Sequence, residues 1–563
     1  MAGGAIRRLP PLRSPIWPLA AVATSMALYA SIAGTAFTGD DYEGILDVVG
    51  GPAAGWLTEV GTGGNLRPVA WASLWLTHAA FGTDPFGWHL VSMILHGLVA
   101  WLVACTVAAV VDGARAGAAG SEEEGEEGAA GVHHGSLRPS VVGLLAGATF
   151  LVSPAHTEAV AWVAARGDLL LALGCTASLL AWVRSRRSSQ RIAWWSFAAF
   201  ACALLAKESA VALPAVLLAH EAWLPRQGEP PAGRWRRTLV AMSPHLVLVA
   251  AFSFVYLSNG VGTASAEART LAGEGPLLVA RRSVQLTLRS ILPPMPAPVW
   301  WVVGVVLVLM ACALVARRGA LTAALGPQLR SLGFFATAFV LALGPAARLG
   351  ASPFTTAGGR LGYWPGTFVA GAVGLGLAVL LQRAPRPGRV VVVLWLAASC
   401  VLVVVVDQTY VDGGRLVDGV VESAAALPVD EPVVLLVAPD VLGGSWAGRG
   451  ALAPALTLVH GWEEPPLYVE ATGVELAAWD GTVTTGPGSC ARCVVLRLDD
   501  PDALFVWPLP GEVPFRVETG RPGDKVGATV HRVEEREVEI ELDAEADRSR
   551  FWYVSGGRLV PLG

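Results

Sequence analysis

Apolar stretches of about 20 residues recur through the first 406 residues of this chain, and they constrain its fold more than any other feature. Of the 563 residues, 53% are hydrophobic and 15% are charged, whereas soluble domains carry about 25% charged residues. We therefore predict a polytopic α-helical membrane protein with about eleven transmembrane helices. The predicted spans are 15–37, 86–111, 140–155, 159–183, 192–206, 209–224, 238–257, 299–316, 332–345, 364–382 and 389–406.

The distribution of arginine predicts the orientation of these spans. Lys and Arg collect in cytoplasmic loops, and the loops after the fourth, sixth, eighth and tenth spans are rich in arginine. Arg7, Arg8 and Arg13 precede the first span, which we interpret as a retained signal anchor with a cytoplasmic N-terminus. The expected location is the inner (cytoplasmic) membrane. An odd number of spans then places the C-terminus on the extracytoplasmic side.

The C-terminal part of the chain has a different pattern. Short β-rich runs at 433–437, 493–498 and 537–542 are separated by Gly, Pro and Asp turns. We predict a transmembrane domain over residues 1–406 and a β-rich extracytoplasmic domain over 407–563. A net charge of −5 without a basic stripe argues against nucleic acid as a partner.

Cysteine and histidine offer few metal sites. Cys490 and Cys493 are the two cysteines outside the apolar stretches, and a disulfide is the expected state on an oxidising side. A lone CxxC without a second ligand pair disfavours a zinc site. The acidic segment 121–127, with His133 and His134 after it, is typical of a disordered linker, and a metal role for the histidines stays open.

Charged and polar residues gather at the predicted outer ends of the spans, and this convergence marks a candidate site. Ionisable groups next to a bilayer are costly unless they are solvated, paired or used. Asp40 and Asp41 follow the first span, and Lys207 is one of only two lysines in the chain. The apolar stretch 66–81 is too short to span and predicts a helix lying in the interface. The candidates are Asp40, Asp41, Arg67, His156, Glu158, Arg166, Asp168, Lys207, Glu208, Arg360 and Tyr363.

Structural roles for some of these residues stay open. Arg166 and Asp168 could form a structural ion pair, because buried charges are normally paired. Lys207 and Glu208 could solvate a tight turn, and His156 could be an ordinary interfacial histidine.

Six sequence segments resemble the transmembrane and tetratricopeptide-repeat O-mannosyltransferases and their bacterial relatives in order and spacing. The tail shows no tetratricopeptide repeats, and no acidic residue precedes Arg360, which are two departures from the family's pattern. The segments are 40–42, 66–68, 84–90, 153–169, 205–209 and 360–365.

The resemblance implies a GT-C fold and an inverting glycosyltransferase that works on the outer face of the membrane. The donor would be a sugar such as mannose on a polyprenyl phosphate, and the acceptor a hydroxyl of a protein or glycan. An acceptor hydroxyl needs a general base, which we expect within the Asp40–Asp41 pair, with Asp41 slightly favoured. Fixed cations stabilise a phosphate leaving group.

The remaining roles follow from the same chemistry. We expect Arg67, Lys207 and Arg360 to contact the donor phosphate, and His156 to donate a further hydrogen bond. The resemblance places Glu158, Arg166, Asp168, Glu208 and Tyr363 in the same substrate site. We expect no cofactor and no obligatory metal, although a divalent ion stays possible.

Two other functional classes remain open. A glycan ligase or polymerase would use a similar lipid-linked substrate. A transporter or flippase of lipid-linked sugars would also place charges in the membrane, but transporters concentrate them near the midplane.

Overall fold

A computed structural model describes most of the chain. The described residues are 11–50, 66–119, 137–186, 193–225, 231–258, 276–295, 299, 318–347, 349, 351–352, 355–428, 431–442, 445–447, 452–461, 468–508, 512–520, 525–543 and 547–562.

Helices dominate the chain up to residue 424. Several of them begin at a proline, which fits the first helical position because its missing N–H has no partner there. The α-helices are α1 (Ile16–Leu28), α2 (Asp41–Gly50), α3 (Pro68–Phe81), α4 (Pro85–Ala119), α5 (Pro139–Leu151), α6 (Thr157–Ala161), α7 (Arg166–Ser185), α8 (Trp194–Ala206), α9 (Leu213–Trp223), α10 (Pro231–Ser258), α11 (Pro276–Ile291), α12 (Arg318–Leu343), α13 (Tyr363–Arg383), α14 (Pro385–Ala424) and α15 (Leu452–His460).

Among the described residues, six helices are long and apolar enough to cross a membrane. The number becomes seven if α5 and α6, which meet at a 50° bend, form one span. The prediction of a multi-pass helical membrane protein is confirmed, but the count of eleven spans is not. At 13 residues each, α1 and α8 are about 20 Å long. That is shorter than the hydrocarbon core of about 30 Å.

Two predicted features fall largely or wholly outside the described residues. The predicted span 299–316 does so except for residue 299, and the acidic segment 121–127 does so together with His133 and His134. The predicted interfacial helix at 66–81 is present as α3.

The C-terminal part is β-rich, as predicted, and forms two sheets. A mixed sheet has the order β12-β11-β1-β4-β7, with β2 and β3 also paired to β1, and an antiparallel sheet has the order β5-β6-β10-β9-β8. The strands are β1 (Val433–Leu442), β2 (Ser445–Trp446), β3 (Tyr468–Glu470), β4 (Gly473–Leu476), β5 (Val483–Pro487), β6 (Cys493–Leu498), β7 (Leu504–Trp507), β8 (Phe515–Thr519), β9 (Val526–Val533), β10 (Glu537–Leu542), β11 (Phe551–Ser555) and β12 (Arg558–Pro561).

Helix α14 connects the two parts without a break. It is 40 residues long and runs through the predicted domain boundary at 406, and β1 begins nine residues after its last residue. Near the other end of the sheets, Cys490 and Cys493 are joined in a disulfide in the turn before β6.

Candidate active site

Three ion pairs join residues that are far apart in sequence, and all six side chains belong to the predicted set. The members lie at or next to helix ends, where the backbone changes direction. The pairs are Arg67–Glu208, Lys207–Asp168 and Arg360–Glu158.

Lys207 lies at the break between α8 and a short 3-10 helix, Glu208–Ala212. Its backbone is extended, with φ −160° and ψ 135°, so the lysine ends the apolar helix and its side chain turns inward. Nζ lies 2.7 Å from both carboxylate oxygens of Asp168, which is in the first turn of α7. Burial lowers the pKa of Lys207, and Asp168 opposes this shift. Asp168 therefore holds the Lys207 side chain inside the protein, so this lysine does not simply solvate a turn.

Arg67 precedes Pro68 at the start of α3 and contacts Glu208 through two hydrogen bonds. Nε donates to Oε2 at 2.9 Å and Nη2 donates to Oε1 at 2.7 Å. Burial raises the pKa of Glu208, but Arg67 outweighs burial and brings it to about 2. About a quarter of the Arg67 side chain is exposed (27%), so its guanidinium group is accessible from outside the protein.

Arg360 and Glu158 connect α6 to the segment that precedes α13. Arg360 Nη1 donates to Glu158 Oε1 at 2.8 Å, and the backbone N–H of Arg360 donates to Oε2 at 2.7 Å. Gly358 also donates its N–H to Oε1, at 3.2 Å, from a left-handed conformation with φ 81°. Glu158 is almost fully buried (2%), whereas 28% of the Arg360 side chain is exposed. The guanidinium group of Arg360 is therefore partly accessible, while its carboxylate partner is buried.

The adjacent residues Asp40 and Asp41 differ sharply in environment. Asp41 begins α2 and is 2% exposed, and both of its oxygens accept backbone N–H groups: Ala164 at 2.6 Å and Thr38 at 3.2 Å. Burial raises the pKa of Asp41 to about 7, although the N–H donors oppose it. Asp40 is exposed, and its side chain forms no hydrogen bond with another described residue.

Trp162 links the aspartates to the ion pairs. The guanidinium carbon of Arg360 lies 4.3 Å from the centre of the Trp162 ring, within the range of a cation–π interaction. The indole N–H of the same residue donates to the Thr38 carbonyl at 3.2 Å. The cations and the aspartate segment therefore form one continuous site. Trp162 was not predicted, because its role depends on two contacts that are distant in sequence.

His156 and Tyr363 lie deeper, among aromatic rings. His156 donates from Nδ1 to the Phe150 carbonyl at 3.0 Å, and its ring centre is 4.9 Å from that of Tyr363. The Tyr363 hydroxyl donates to Nδ1 of His96 at 2.7 Å, since Nε2 of His96 donates to the Leu151 carbonyl. Both predicted residues are buried behind the Glu158–Arg360 pair.

Arg166 and Asp168 do not form the ion pair that the sequence left open. Arg166 donates to the Thr77 hydroxyl at 2.9 Å and to the Trp88 carbonyl at 2.8 Å, whereas Asp168 binds Lys207. Arg166 therefore holds α3 and α4 against the start of α7.

Arg289 was not among the predicted site residues. It is fully buried on α11 and donates to the carbonyls of Thr355 and Leu292, while Nη2 has no partner among the described residues. Glu158 is its principal electrostatic partner. On α11, Leu277, Val284 and Ile291 are exposed. Their spacing of seven residues is typical of one face of a helix, and it could have indicated that Arg289 lies on another face.

Metal ligands are not grouped in the part of the chain that the structure describes, where no three His, Cys, Asp or Glu side chains come together as a set. The site combines the exposed carboxylate of Asp40 with the partly exposed guanidinium groups of Arg67 and Arg360 and the buried ammonium group of Lys207.

The chain is similar to curated protein O-mannosyltransferases. It is 33% identical over 207 residues to protein O-mannosyl-transferase Tmtc1 of Drosophila melanogaster, covering 34% of this chain and 21% of that protein. It is 28% identical over 174 residues to protein O-mannosyl-transferase TMTC2 of Mus musculus, covering 30% and 18%. The resemblance found in the sequence is thereby confirmed. The chain matches only about a fifth of the length of these relatives, and no family model matches it.

Among solved structures, the chain shows a likeness to ArnT from Cupriavidus metallidurans. The crystal structure of ArnT bound to undecaprenyl phosphate gives a TM-score of 0.39 at 12% identity, covering 93% of this chain and 98% of ArnT. The apo structure gives a TM-score of 0.31 at 14% identity.

Proposed function

We propose that this protein is an inverting membrane glycosyltransferase with a GT-C fold. It would transfer a sugar, such as mannose, from a polyprenyl-phosphate donor to a hydroxyl of a protein or glycan. The observation that carries the proposal is the set of contacts that joins the aspartate segment to Arg360 through Trp162. The Lys207–Asp168 pair lies close enough to Arg360 for their charges to interact. The similarity to O-mannosyltransferases supports the reaction class.

In the proposed reaction the acceptor oxygen attacks the anomeric carbon of the donor sugar. The acceptor proton passes to a carboxylate, and the bond between the anomeric carbon and the phosphate oxygen breaks with its electron pair on the phosphate. We assign the proton to Asp40, because its carboxylate is exposed and uncommitted. Asp41 has both oxygens engaged by N–H groups, which suits a residue that holds the segment in place.

The leaving polyprenyl phosphate gains negative charge that fixed cations stabilise. Arg67 and Arg360 are partly exposed, and arginine suits bidentate contact with phosphate. Lys207 adds a buried positive charge close to both arginines, and Asp168 is the carboxylate that pairs with it. The carboxylates of the three pairs keep these cations in place before the donor arrives.

The proposal includes a location and a domain arrangement. The chain would lie in the cytoplasmic membrane with its N-terminus inside. Residues 1–406 would form the transferase unit, and residues 407–563 an extracytoplasmic domain on the same side as the site.

Transfer and transport can be separated directly. Purified protein in liposomes is supplied with a short-chain polyprenyl-phosphate mannose carrying a labelled sugar, together with peptides rich in Ser and Thr. A transferase releases polyprenyl phosphate and labels the peptide. A flippase moves the labelled donor across the bilayer without cleaving it, and that result would contradict the proposal.

A further inference from the structure

The segment that carries Asp40 is held from two sides. On the side of the membrane helices, His89 Nε2 donates to the Thr35 carbonyl at 3.1 Å. Trp162 donates to the Thr38 carbonyl, and Ala164 donates to Asp41. These contacts fix the segment to α4 and to the residues between α6 and α7.

The β-rich part holds the same segment from the other side. Gly39 donates its N–H to the carbonyl of Ala447 at 2.8 Å, and Ala447 in turn donates to the Asp440 carbonyl of β1 at 3.1 Å. Gly39 has φ 51°, a left-handed conformation that costs glycine little. Ala447 is fully buried. The residue just before Asp40 is therefore hydrogen-bonded into the C-terminal fold.

Side-chain packing extends this contact. Phe37, Tyr42 and Ile45 are 1–2% exposed and belong to one apolar core with the strands and with α15. On the C-terminal half of α14, Gly414 approaches the segment so closely that a Cβ there would lie 2.2 Å from Cγ2 of Thr35. No side chain fits between α14 and the aspartate segment at this point.

We propose that the β-rich C-terminal part, with the second half of α14, is a positioning element of the transferase site. The Gly39–Ala447 hydrogen bond and the contact of Gly414 with Thr35 together fix the position of Asp40 relative to Trp162 and Arg360. This inference rests on the proposed function. It gives the C-terminal part a role in acceptor attack and leaves donor phosphate binding to the membrane helices.

The sharpest test compares two neighbouring glycines on α14. Gly414→Ala places a methyl group against Thr35, whereas Gly413→Ala meets Cγ2 of Thr38 at 3.8 Å, an ordinary contact. We expect Gly414→Ala to lower kcat at least about tenfold with donor affinity unchanged, because small displacements of a reacting group are costly. Gly413→Ala should match the wild type. The double variant Gly414→Ala/Thr35→Ser removes the colliding methyl and should recover part of the loss, because the added Cβ would still lie 3.1 and 3.2 Å from the backbone N and O of Ala36.

A second pair tests the left-handed conformation in which Gly39 donates its N–H to Ala447. Gly39→Ala strains the left-handed residue, whereas Gly461→Ala strains a residue of similar φ (67°) with open space around it. Only Gly39→Ala should lower kcat. Equal kcat values for Gly414→Ala and Gly413→Ala would overturn the positioning role. If the wild type transfers no sugar, the proposed function itself fails, which is a separate result.

Discussion

Lys207 and Asp168 form a buried ion pair in which one ammonium nitrogen lies 2.7 Å from both carboxylate oxygens. Removing one partner of a buried pair leaves an uncompensated charge and costs roughly 3–5 kcal/mol. The pair therefore has a structural role as well as the proposed electrostatic one, and the two can be separated by experiment.

We expect Lys207→Met and Asp168→Asn each to lower the Tm, because each leaves the other charge unpaired. The double variant should recover much of the Tm, since neither charge remains. It should not recover donor use, because the positive charge near the phosphate is lost. Thermal unfolding and donor kinetics on the three variants check this. Recovery of wild-type donor kinetics in the double variant would remove Lys207 from phosphate binding.

Arg360→Ala should weaken donor use about ten- to a hundredfold, since a hydrogen bond to a charged group is worth roughly 1.5–3 kcal/mol. Acceptor affinity should change less. Arg415→Ala is the matched control: Arg415 is an exposed arginine paired with Asp412, and its loss should leave donor kinetics unchanged. Similar donor kinetics in both variants would contradict the assignment of Arg360.

Asp40→Asn keeps the size of the side chain and removes its ability to accept a proton. Turnover should fall by about 10²–10⁴, the usual contribution of a general base, while donor binding survives. Asp41→Asn can still accept one backbone N–H and should cost less. Near-normal turnover in both folded variants would leave the proposed mechanism without its base.

The pH dependence of stability should reveal the buried carboxyl of Asp41. Its pKa rises from 3.8 to about 7 because burial favours the neutral form, so the folded protein binds a proton that the unfolded chain releases. The stabilisation from this proton is lost as the pH rises through about 7. Relative to Asp41→Asn, the wild type should lose Tm as the pH rises from about 4 to about 7. Parallel Tm curves for the two proteins would show that Asp41 ionises normally.

Cys490 and Cys493 should resist a maleimide until a reductant is added, because they are joined in a disulfide. After reduction of intact cells, a membrane-impermeant maleimide should reach Cys490 and Cys493 if the C-terminal part is extracytoplasmic. Labelling only after the cells are opened would reverse the proposed orientation.

Local patterns were sufficient to predict the classes of structure. The β-rich runs at 433–437, 493–498 and 537–542 all became strands, because short runs bounded by Gly, Pro and Asp favour extended chain. The long apolar stretches predicted the main membrane helices. The span count was less predictable, because a break such as the one at Lys207 depends on a partner, Asp168, from another helix.

Partner choice within the site was not predictable from the sequence. Arg166 and Asp168 are two residues apart, yet they bind different helices. The contrast between Asp40 and Asp41 arises because Asp40 precedes α2 and is exposed, whereas Asp41 begins the helix and is buried. Such directions are set by tertiary packing, which local sequence does not encode.

Helix α14 has 40 residues and is therefore about 60 Å long, roughly twice the thickness of a hydrocarbon core. Because its apolar first half and its Gly414 region belong to one unbroken rod, the C-terminal part cannot swing freely like a domain on a hinged linker. Any tilt of the rod moves Thr35, and with it Asp40.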